Sequence, residues 1–424
     1  MEAVDSVVKF RRGTAALSKG GTVKVGDIEG LDEVVVSIFR APHSYTGEDC
    51  AEIGCHGSEF IVKGILERLF KAGARMATPG EFTQRAFLAG KMDLSQAEAV
   101  ADIVAAGSEA AHRVALNQLR GRYSSELSEL RGQLLELTSL LELELDFSEE
   151  DVEFADRCKL KGLLRECLSH IDELRESFRI GNAIRNGVPV AIVGAPNSGK
   201  STLLNAIVGD DRAIVSDVPG TTRDTVEETI TLRGVQYRFI DTAGIHDTED
   251  TVELMGIERS LKKIALADTV VCLLDGTAPA GVNEASLELV RSRIGDGQRL
   301  IVAVSKADIA TAGSGVFGPG CGAMAISAKT GKGLDKLVDA ITADYDASAL
   351  EDHSIVTSQR HYEALCRAHD SLTSAATALE TGVPSDLVSE DLRSTLTHIG
   401  SILGDEICTD EVLGNIFGRF CVGK

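Results

Sequence analysis

The segment that most constrains this chain lies near its middle. The apolar run Val188-Pro189-Val190-Ala191-Ile192-Val193 leads directly into Gly194-Ala195-Pro196-Asn197-Ser198-Gly199-Lys200-Ser201, and Thr202-Leu203-Leu204-Asn205-Ala206 follows. Strand, G-x-x-x-x-G-K-S and helix, in that order, is the context a phosphate-binding P-loop requires. The glycines let the backbone curl so that its N–H groups point at phosphate oxygens. The helix N-terminus adds its partial positive charge. Asn197, Ser198, Gly199, Lys200, Ser201 and Thr202 are therefore the expected phosphate contacts. Lys200 reaches the β- and γ-phosphates, and the Ser201 hydroxyl ligates Mg²⁺.

Three downstream elements decide which nucleotide. In Arg238-Phe239-Ile240-Asp241-Thr242-Ala243-Gly244 a strand ends in an Asp that holds Mg²⁺ through water, and Gly244 offers an N–H to the γ-phosphate. Weak alone, this D-x-x-G is strong after a P-loop and separates GTPase switches from many ATPases. Leu300-Ile301-Val302-Ala303-Val304-Ser305-Lys306-Ala307-Asp308 matches the guanine-reading N/T-K-x-D element, with Ser305 where Asn or Thr is usual. Asp308 accepts hydrogen bonds from guanine N1–H and its exocyclic amine, which adenine cannot supply, and Lys306 lies over the base. A carboxylate left unpaired by the wrong base is costly, hence the discrimination. Ser305 is expected to loosen both the base contact and the bracing of the P-loop, weakening affinity without abolishing specificity. Ser327-Ala328-Lys329 resembles the last guanine-contacting loop, a signal that rests on its position after another strand. Between the first two elements, Ser216-Asp217-Val218-Pro219-Gly220-Thr221-Thr222-Arg223-Asp224 reads as a switch loop. Its Thr222, or failing that Thr221, completes the Mg²⁺ shell in the GTP state. The residue after Gly244 is Ile245, not the Gln that orients water in Ras-like proteins, and no obvious arginine finger compensates, although Arg223 is worth a mutation.

Around this block the texture changes. At 424 residues the chain is too long for one ordinary core. Residues 1–88 mix short β-rich runs such as Glu33–Phe39 with Gly and Pro punctuation and a helical spacing over 58–73, an α+β pattern. From Asp93 to about Asp146 the pattern is helical. Ser95 and Glu98 suggest a capping box, and Leu130, Leu134, Leu137, Leu141 and Leu145 share one face. Further helical runs cover about 154–185, 357–380 and 386–418, the last broken near Gly400 and Gly404. Between them, strands alternate with amphipathic helices, which argues for a mostly parallel sheet covered on both faces. The expected organisation is an N-terminal α+β domain (1–88), a helical domain in two parts (89–186 and 347–424), and a Ras-like P-loop GTPase domain (187–346) inserted into that helical bundle.

Composition narrows the setting. Nine scattered cysteines with no C-x-x-C pair argue for reduced thiols and a cytoplasmic protein. Met1-Glu2-Ala3-Val4-Asp5 does not open like a signal peptide, and no apolar run is long enough to span a membrane. A net charge of −22 argues against unaided nonspecific coating of nucleic acid.

The order of the G elements, with Ser44-Tyr45-Thr46-Gly47-Glu48-Asp49, Cys55-His56-Gly57, Pro79-Gly80-Glu81-Phe82-Thr83-Gln84-Arg85-Ala86-Phe87, Lys91-Met92-Asp93-Leu94-Ser95-Gln96-Ala97-Glu98-Ala99 and the closing Phe420-Cys421-Val422-Gly423-Lys424, resembles the MnmE (TrmE) family of tRNA-modification GTPases over almost the whole chain. The family's usual Gly-rich, Arg-containing opening strand has no counterpart here; the chain begins about where that segment would end. The resemblance implies a GTP/GDP-binding homodimer whose N-terminal domain dimerises and binds 5-formyl-tetrahydrofolate or a related one-carbon folate. It also implies a heterotetramer with the flavoprotein MnmG, modifying C5 of the wobble uridine of certain tRNAs to carboxymethylaminomethyl or aminomethyl groups. The partner would supply most of the tRNA contact. Hydrolysis would be K⁺-activated, with G domains pairing across the dimer and K⁺ held by Asn197, Ser216, Val218 and Thr221. By position Glu253 matches the family's catalytic acid, Glu52, Lys91 and Lys424 its folate contacts, and Cys421 its functional cysteine. Without the resemblance, Glu253 reads as a solvated helix charge, the folate residues as surface charges, and Cys421 equally as an inert thiol. The rival function is a GTPase switch that only docks partners, for example in ribosome assembly.

Overall fold

The computed structural model describes residues 1–146, 157–209, 214–215, 228–240, 264–295, 297–310, 322–345, 354–405, 410–418 and 420. In chain order the elements are α1 (Glu2–Val7), β1 (Lys9–Phe10), β2 (Thr22–Ile28), β3 (Asp32–Phe39), β4 (Cys50–Gly54), α2 (Glu59–Lys71), α3 (Glu81–Leu88), α4 (Leu94–Ala105), α5 (Glu109–Leu119), α6 (Arg122–Asp146) and α7 (Arg157–Asn186). Then come β5 (Val188–Val193), α8 (Lys200–Val208), β6 (Ile214–Val215), β7 (Glu228–Leu232), β8 (Val235–Phe239), β9 (Thr269–Asp275), α9 (Ala280–Arg291), β10 (Arg299–Ser305), β11 (Met324–Ala325), α10 (Leu334–Thr342), α11 (Gln359–Thr381), α12 (Ser385–Leu403) and α13 (Asp410–Phe417). They form two compact units: Met1–Val104 with Asn117–Leu163 and Ser371–Lys424, and Ala105–Leu116 with Leu164–Asp370.

In the first unit β1-β2-β3-β4 form an antiparallel sheet. Strand alternation puts Val34, Val36 and Ile38 of β3 fully inward and Val35 outward, and Ile65 of α2 joins the inner cluster. Two stretches singled out in the sequence meet here. Tyr45 Oη lies 2.9 Å from Thr83 Oγ1, and Arg85 Nη1 donates to Glu48 at 3.0 Å. Glu81, its side chain only 11% exposed, is the hub. It accepts two bonds from Arg75 (2.8 and 2.6 Å), one from the Thr78 N–H (2.9 Å) and one from Arg85 (2.6 Å). That clamps the turn ending at Gly80, whose φ of +69° suits glycine and where a Cβ would sit 2.7 Å from the Phe417 carbonyl oxygen. Phe417 and Phe420 thus rest on this turn and on Leu94, Ala97 and Val100 of α4.

The helical pattern from Asp93 is three helices, not one, because local signals interrupt it. The Ser108 hydroxyl accepts the Ala111 N–H at 3.2 Å and starts α5, and Gly121 at φ +82° separates α5 from α6. The expected Ser95–Glu98 capping box is replaced by one set two residues earlier. Asp93 Oδ1 accepts the Gln96 N–H (2.9 Å) while Gln96 Oε1 accepts the Asp93 N–H (3.0 Å). Ser95 instead donates to Asp93 and lies 2.9 Å from the buried Ser124 hydroxyl. Leu130, Leu134, Leu137 and Leu141 are buried as the spacing predicts; the Leu145 side chain lies outside the described residues. Helix α6 packs along α12. Gly400 does not break α12, which runs through it as a buried position; Gly404, at φ +83°, ends it. A helix-interior glycine costs about 1 kcal/mol, which close packing offsets.

The second unit is a seven-stranded sheet, β11-β10-β9-β5-β8-β7-β6. It is parallel from β11 to β8 and antiparallel through β7 and β6. Residues alternate between two apolar clusters, Val271 and Leu273 in one, Val270, Cys272 and Leu274 in the other, so both faces are covered, as parallel strands require. Helices α8 and α10 close one face with Leu203, Ile207, Leu337 and Ile341, joined by Ala110 and Val114 of α5 and Ile184 of α7. Phe178 of α7 stacks on Tyr362 of α11 at 4.3 Å. Among the described residues no helix is long and apolar enough to cross a membrane.

The Arg75 guanidinium above all, then the Thr78 N–H and Arg85, hold the Glu81 carboxyl well below the usual carboxylate range against the opposing effect of burial. Its stabilising contribution is complete above an unfolded Glu pKa of about 4.3 and is lost as pH falls toward the lower folded value. Glu81→Gln should therefore lower the urea midpoint at pH 7, with the gap to wild type narrowing below about pH 4; a gap constant from pH 7 to 3 would contradict this assignment.

Candidate nucleotide site

The site is built at the C-terminal ends of β5, β9 and β10, where open parallel sheets bind ligands. After β5 the chain turns at Gly194, where a Cβ would lie 2.2 Å from the Leu273 carbonyl of β9, so only glycine fits. Asn197 takes a left-handed φ of +61° and Gly199 one of +93°. Helix α8 then starts at Lys200 with Gly199 as N-cap and no side-chain cap. A helix start without a side-chain cap is the kind of N-terminus that binds anions. Lys200 Nζ donates to the carbonyls of Gly194 (3.0 Å) and Ala195 (2.8 Å), folding the ammonium over the loop. Asn197 and Thr202 are exposed, and Ser201 is half-buried in the first turn.

The guanine-reading candidates converge. The Ser327 hydroxyl donates to Asp308 Oδ1 at 2.7 Å and accepts the Thr330 N–H at 3.3 Å, joining the loop after β10 to the loop after β11. That bond, first among its causes, holds the Asp308 carboxyl below its ordinary range, ready as an anionic acceptor. The carboxylate has about four acceptor sites, so capacity remains for the two guanine donors. Ala307 donates its N–H to the Ile326 carbonyl at 3.0 Å, Ala328 packs beside the sheet core, and Lys329 is exposed. Lys306, at φ +56°, sends Nζ to Asp275 Oδ2 at 2.6 Å. Burial alone would raise the Asp275 pKa, but the Lys306 ammonium and the Thr277 donors outweigh it and hold it low. Sequence reasoning missed Asp275. Its one signal is an Asp-Gly that closes the apolar run Val270–Leu274.

Ser305 is 5% exposed and Ser198 is fully buried, and neither hydroxyl has a hydrogen-bond partner among the described residues. A hydroxyl ending at Oγ reaches less far than the side chain of the usual Asn. In the N-terminal unit Glu52 is exposed on β4, opposite Ser37 of β3. Lys91 is also exposed, its stem 3.4 Å from where a Cβ on Gly47 would lie. Ser216, Val218, Thr221, Thr222, Arg223, Asp241, Thr242, Ala243, Gly244, Ile245, Glu253, Cys421 and Lys424 lie outside the described residues.

A P-loop at the C-terminal end of a central parallel strand, with an anionic carboxylate past the end of another parallel strand on the same rim, defines a P-loop nucleotide-binding protein. Comparison with known proteins narrows this. Residues 4–91 match the family described as "GTP-binding protein TrmE N-terminus", and residues 94–421 match "MnmE helical domain", a span that includes the P-loop. Relatives named tRNA modification GTPase MnmE include that of Bacteroides fragilis, 47% identical over 93% of this chain and 87% of its own length. Another, from Parabacteroides distasonis, is 46% identical over 99% of this chain and 94% of its own length. Among solved structures, the G domain of the T. maritima FeoB iron transporter matches at TM-score 0.27 and 25% identity, covering 37% of this chain and 98% of that one; no argument rests on that likeness. The chain belongs to the MnmE (TrmE) family of tRNA modification GTPases, and is a GTP hydrolase.

Restoring the longer side chain should restore the brace. Ser305→Asn is expected to tighten GDP binding by about two- to tenfold, the worth of one hydrogen bond of about 0.5–1.5 kcal/mol. Titration with a fluorescent GDP analogue measures it; equal or weaker binding would show that Ser305 is not a weakened brace.

Proposed function

We propose that this chain is a K⁺-activated, dimeric GTPase that works with the flavoprotein MnmG to modify C5 of the wobble uridine in certain tRNAs. The observation that carries the reading is the family match over nearly the whole chain, with the P-loop and the Asp308–Ser327 pair on one rim of the sheet, at the C-terminal ends of its parallel strands. The proposed domains are 1–88 for dimerisation and folate, 89–186 with 347–424 as the helical domain, and 187–346 as the G domain.

In this reading Lys200 leaves its loop carbonyls for the β- and γ-phosphates, and Asp308, Ser305, Lys306, Ala307 and the Ser327–Lys329 loop hold guanine. The first-turn hydroxyl of Ser201 suits a hard cation, with Thr222 and the Asp241–Gly244 element completing that side. The exposed Asn197 amide, on its left-handed turn, suits a monovalent cation shared with Ser216, Val218 and Thr221. Mg²⁺ and K⁺ bound there would offset negative charge on the transferring phosphoryl group. Because Ile245 replaces the water-orienting Gln, Glu253 takes over the orienting of water. Exposed Glu52 and Lys91 fit a pterin donor edge and a glutamate tail, respectively, with Lys424 the third contact and Cys421 the functional thiol at the end of the arm. The reaction takes place in the cytoplasm.

GTP turnover should be severalfold faster in KCl than in NaCl at equal ionic strength, and Asn197→Ala should abolish the difference while still binding nucleotide. Equal wild-type rates in the two salts would sink the K⁺ mechanism. In a deletion strain, mass spectrometry of tRNA nucleosides should show loss of the C5-modified wobble uridine. The wild-type gene should restore it and Cys421→Ser should not. Unchanged nucleosides in the deletion strain would refute the tRNA reading.

A further inference from the structure

We propose that Asp275 is the positioning residue of the guanine site: it draws the Lys306 ammonium aside so that the lysine's methylene stem, rather than its charge, is offered to the base. This rests on the reading of Lys306 and Asp308 as base-reading residues and deepens it.

Both ends of the Lys306 side chain are fixed. Its backbone is held in the left-handed region, and its carbonyl accepts the N–H groups of Ile309 and Ala310, each at 3.0 Å. Its Nζ lies 2.6 Å from Asp275 Oδ2. Four methylenes are stretched between these anchors, and such stems cover apolar surface while the charged head is satisfied elsewhere. Asp275 is itself held. Its side chain is 13% exposed against 33% for Lys306. Its Oδ1 accepts the Thr277 N–H at 2.9 Å and the Thr277 hydroxyl at 2.7 Å, which leaves Oδ2 turned to the lysine. The buried Asn283 pins its backbone from both sides, donating Nδ2 to the Asp275 carbonyl at 2.9 Å and accepting its N–H at 3.1 Å.

The strand ends are locked together as well. Gly276 donates to the Ser305 carbonyl at 3.2 Å, and a Cβ on Gly276 would stand 2.5 Å from that oxygen. The parallel register places Ser305 beside Asp275. A lysine two positions before Asp308 carries a charge that competes with guanine's donors for that carboxylate. Asp275 gives the charge another acceptor. It also removes the stem's rotamer freedom before nucleotide arrives, so less is lost on binding.

The test uses the full-length protein and a fluorescent GDP analogue. Asp275→Asn keeps the shape and removes the charge. GDP dissociation should quicken about tenfold, as expected when a charge-assisted hydrogen bond is lost. KM for GTP should rise in parallel, with kcat changed less than about twofold. Asp275→Glu, which keeps the charge, should recover part of the loss, and Asp275→Asn should add nothing on a Lys306→Met background. If Lys306→Ala quickens dissociation but Asp275→Asn does not, the positioning role fails while the base-reading role of Lys306 stands. Wild-type dissociation in Lys306→Ala, which removes the stem, would instead overturn the reading of Lys306 itself. A drop in kcat and in the melting temperature of the nucleotide-free protein, equal in both backgrounds and unrelieved by Asp275→Glu, would mark Asp275 as structural only and overturn the proposal.

Discussion

The second unit depends on how closely the turn after β5 approaches β9. With no Cβ at Gly194, the loop lies against the Leu273 carbonyl, and Asn197 and Gly199 complete the curl with left-handed dihedrals. β5 sits between β9 and β8, so this loop leaves from the interior of the sheet and not from an edge. The parallel direction of β9 and β10 then delivers Asp275 and Ser305 to the same rim, and the loop after β11 brings Ser327 to Asp308. One glycine and one sheet direction thus bring together residues more than a hundred positions apart.

What was legible in the sequence was what is local. The P-loop is a continuous string, and the Ser305–Asp308 element is four residues long, so each could be read without knowing a single long-range contact. Strand β3 and helix α2 were legible from periodicity. The errors came where two local signals compete. At the start of α4, Ser95–Glu98 and Asp93–Gln96 are overlapping boxes, and the stronger acceptor, the Asp93 carboxylate, wins. Gly400 looked like a breaker because propensity ignores the packing that tolerates it. Asp275 could not be read because its meaning comes from the register between β9 and β10 and from Lys306, which lies 31 positions away. Glu52 and Lys91 are exposed charges that only the family resemblance singles out.

Two ion-paired carboxylates show how an acidic protein uses a few of its 65 acidic residues as fasteners. Glu81 gathers two arginines and a backbone N–H, and Asp275 gathers one lysine and both Thr277 donors. In each case a backbone N–H from a nearby turn is among the donors, so the charge fixes backbone as well as side chains. Removing one partner from such a cluster leaves the others facing an incomplete set.

The seat of Phe417 and Phe420 on Gly80 makes distance along the chain a poor guide to genetic neighbourhood. The turn from Arg75 to Glu81 and the helix that precedes the final Cys-Val-Gly-Lys form one mechanical part, although more than three hundred residues separate them. A missense change in that early turn and a truncation of the last helix therefore belong to one allelic class. In a collection of suppressors, repair of one is to be sought at the other end of the gene.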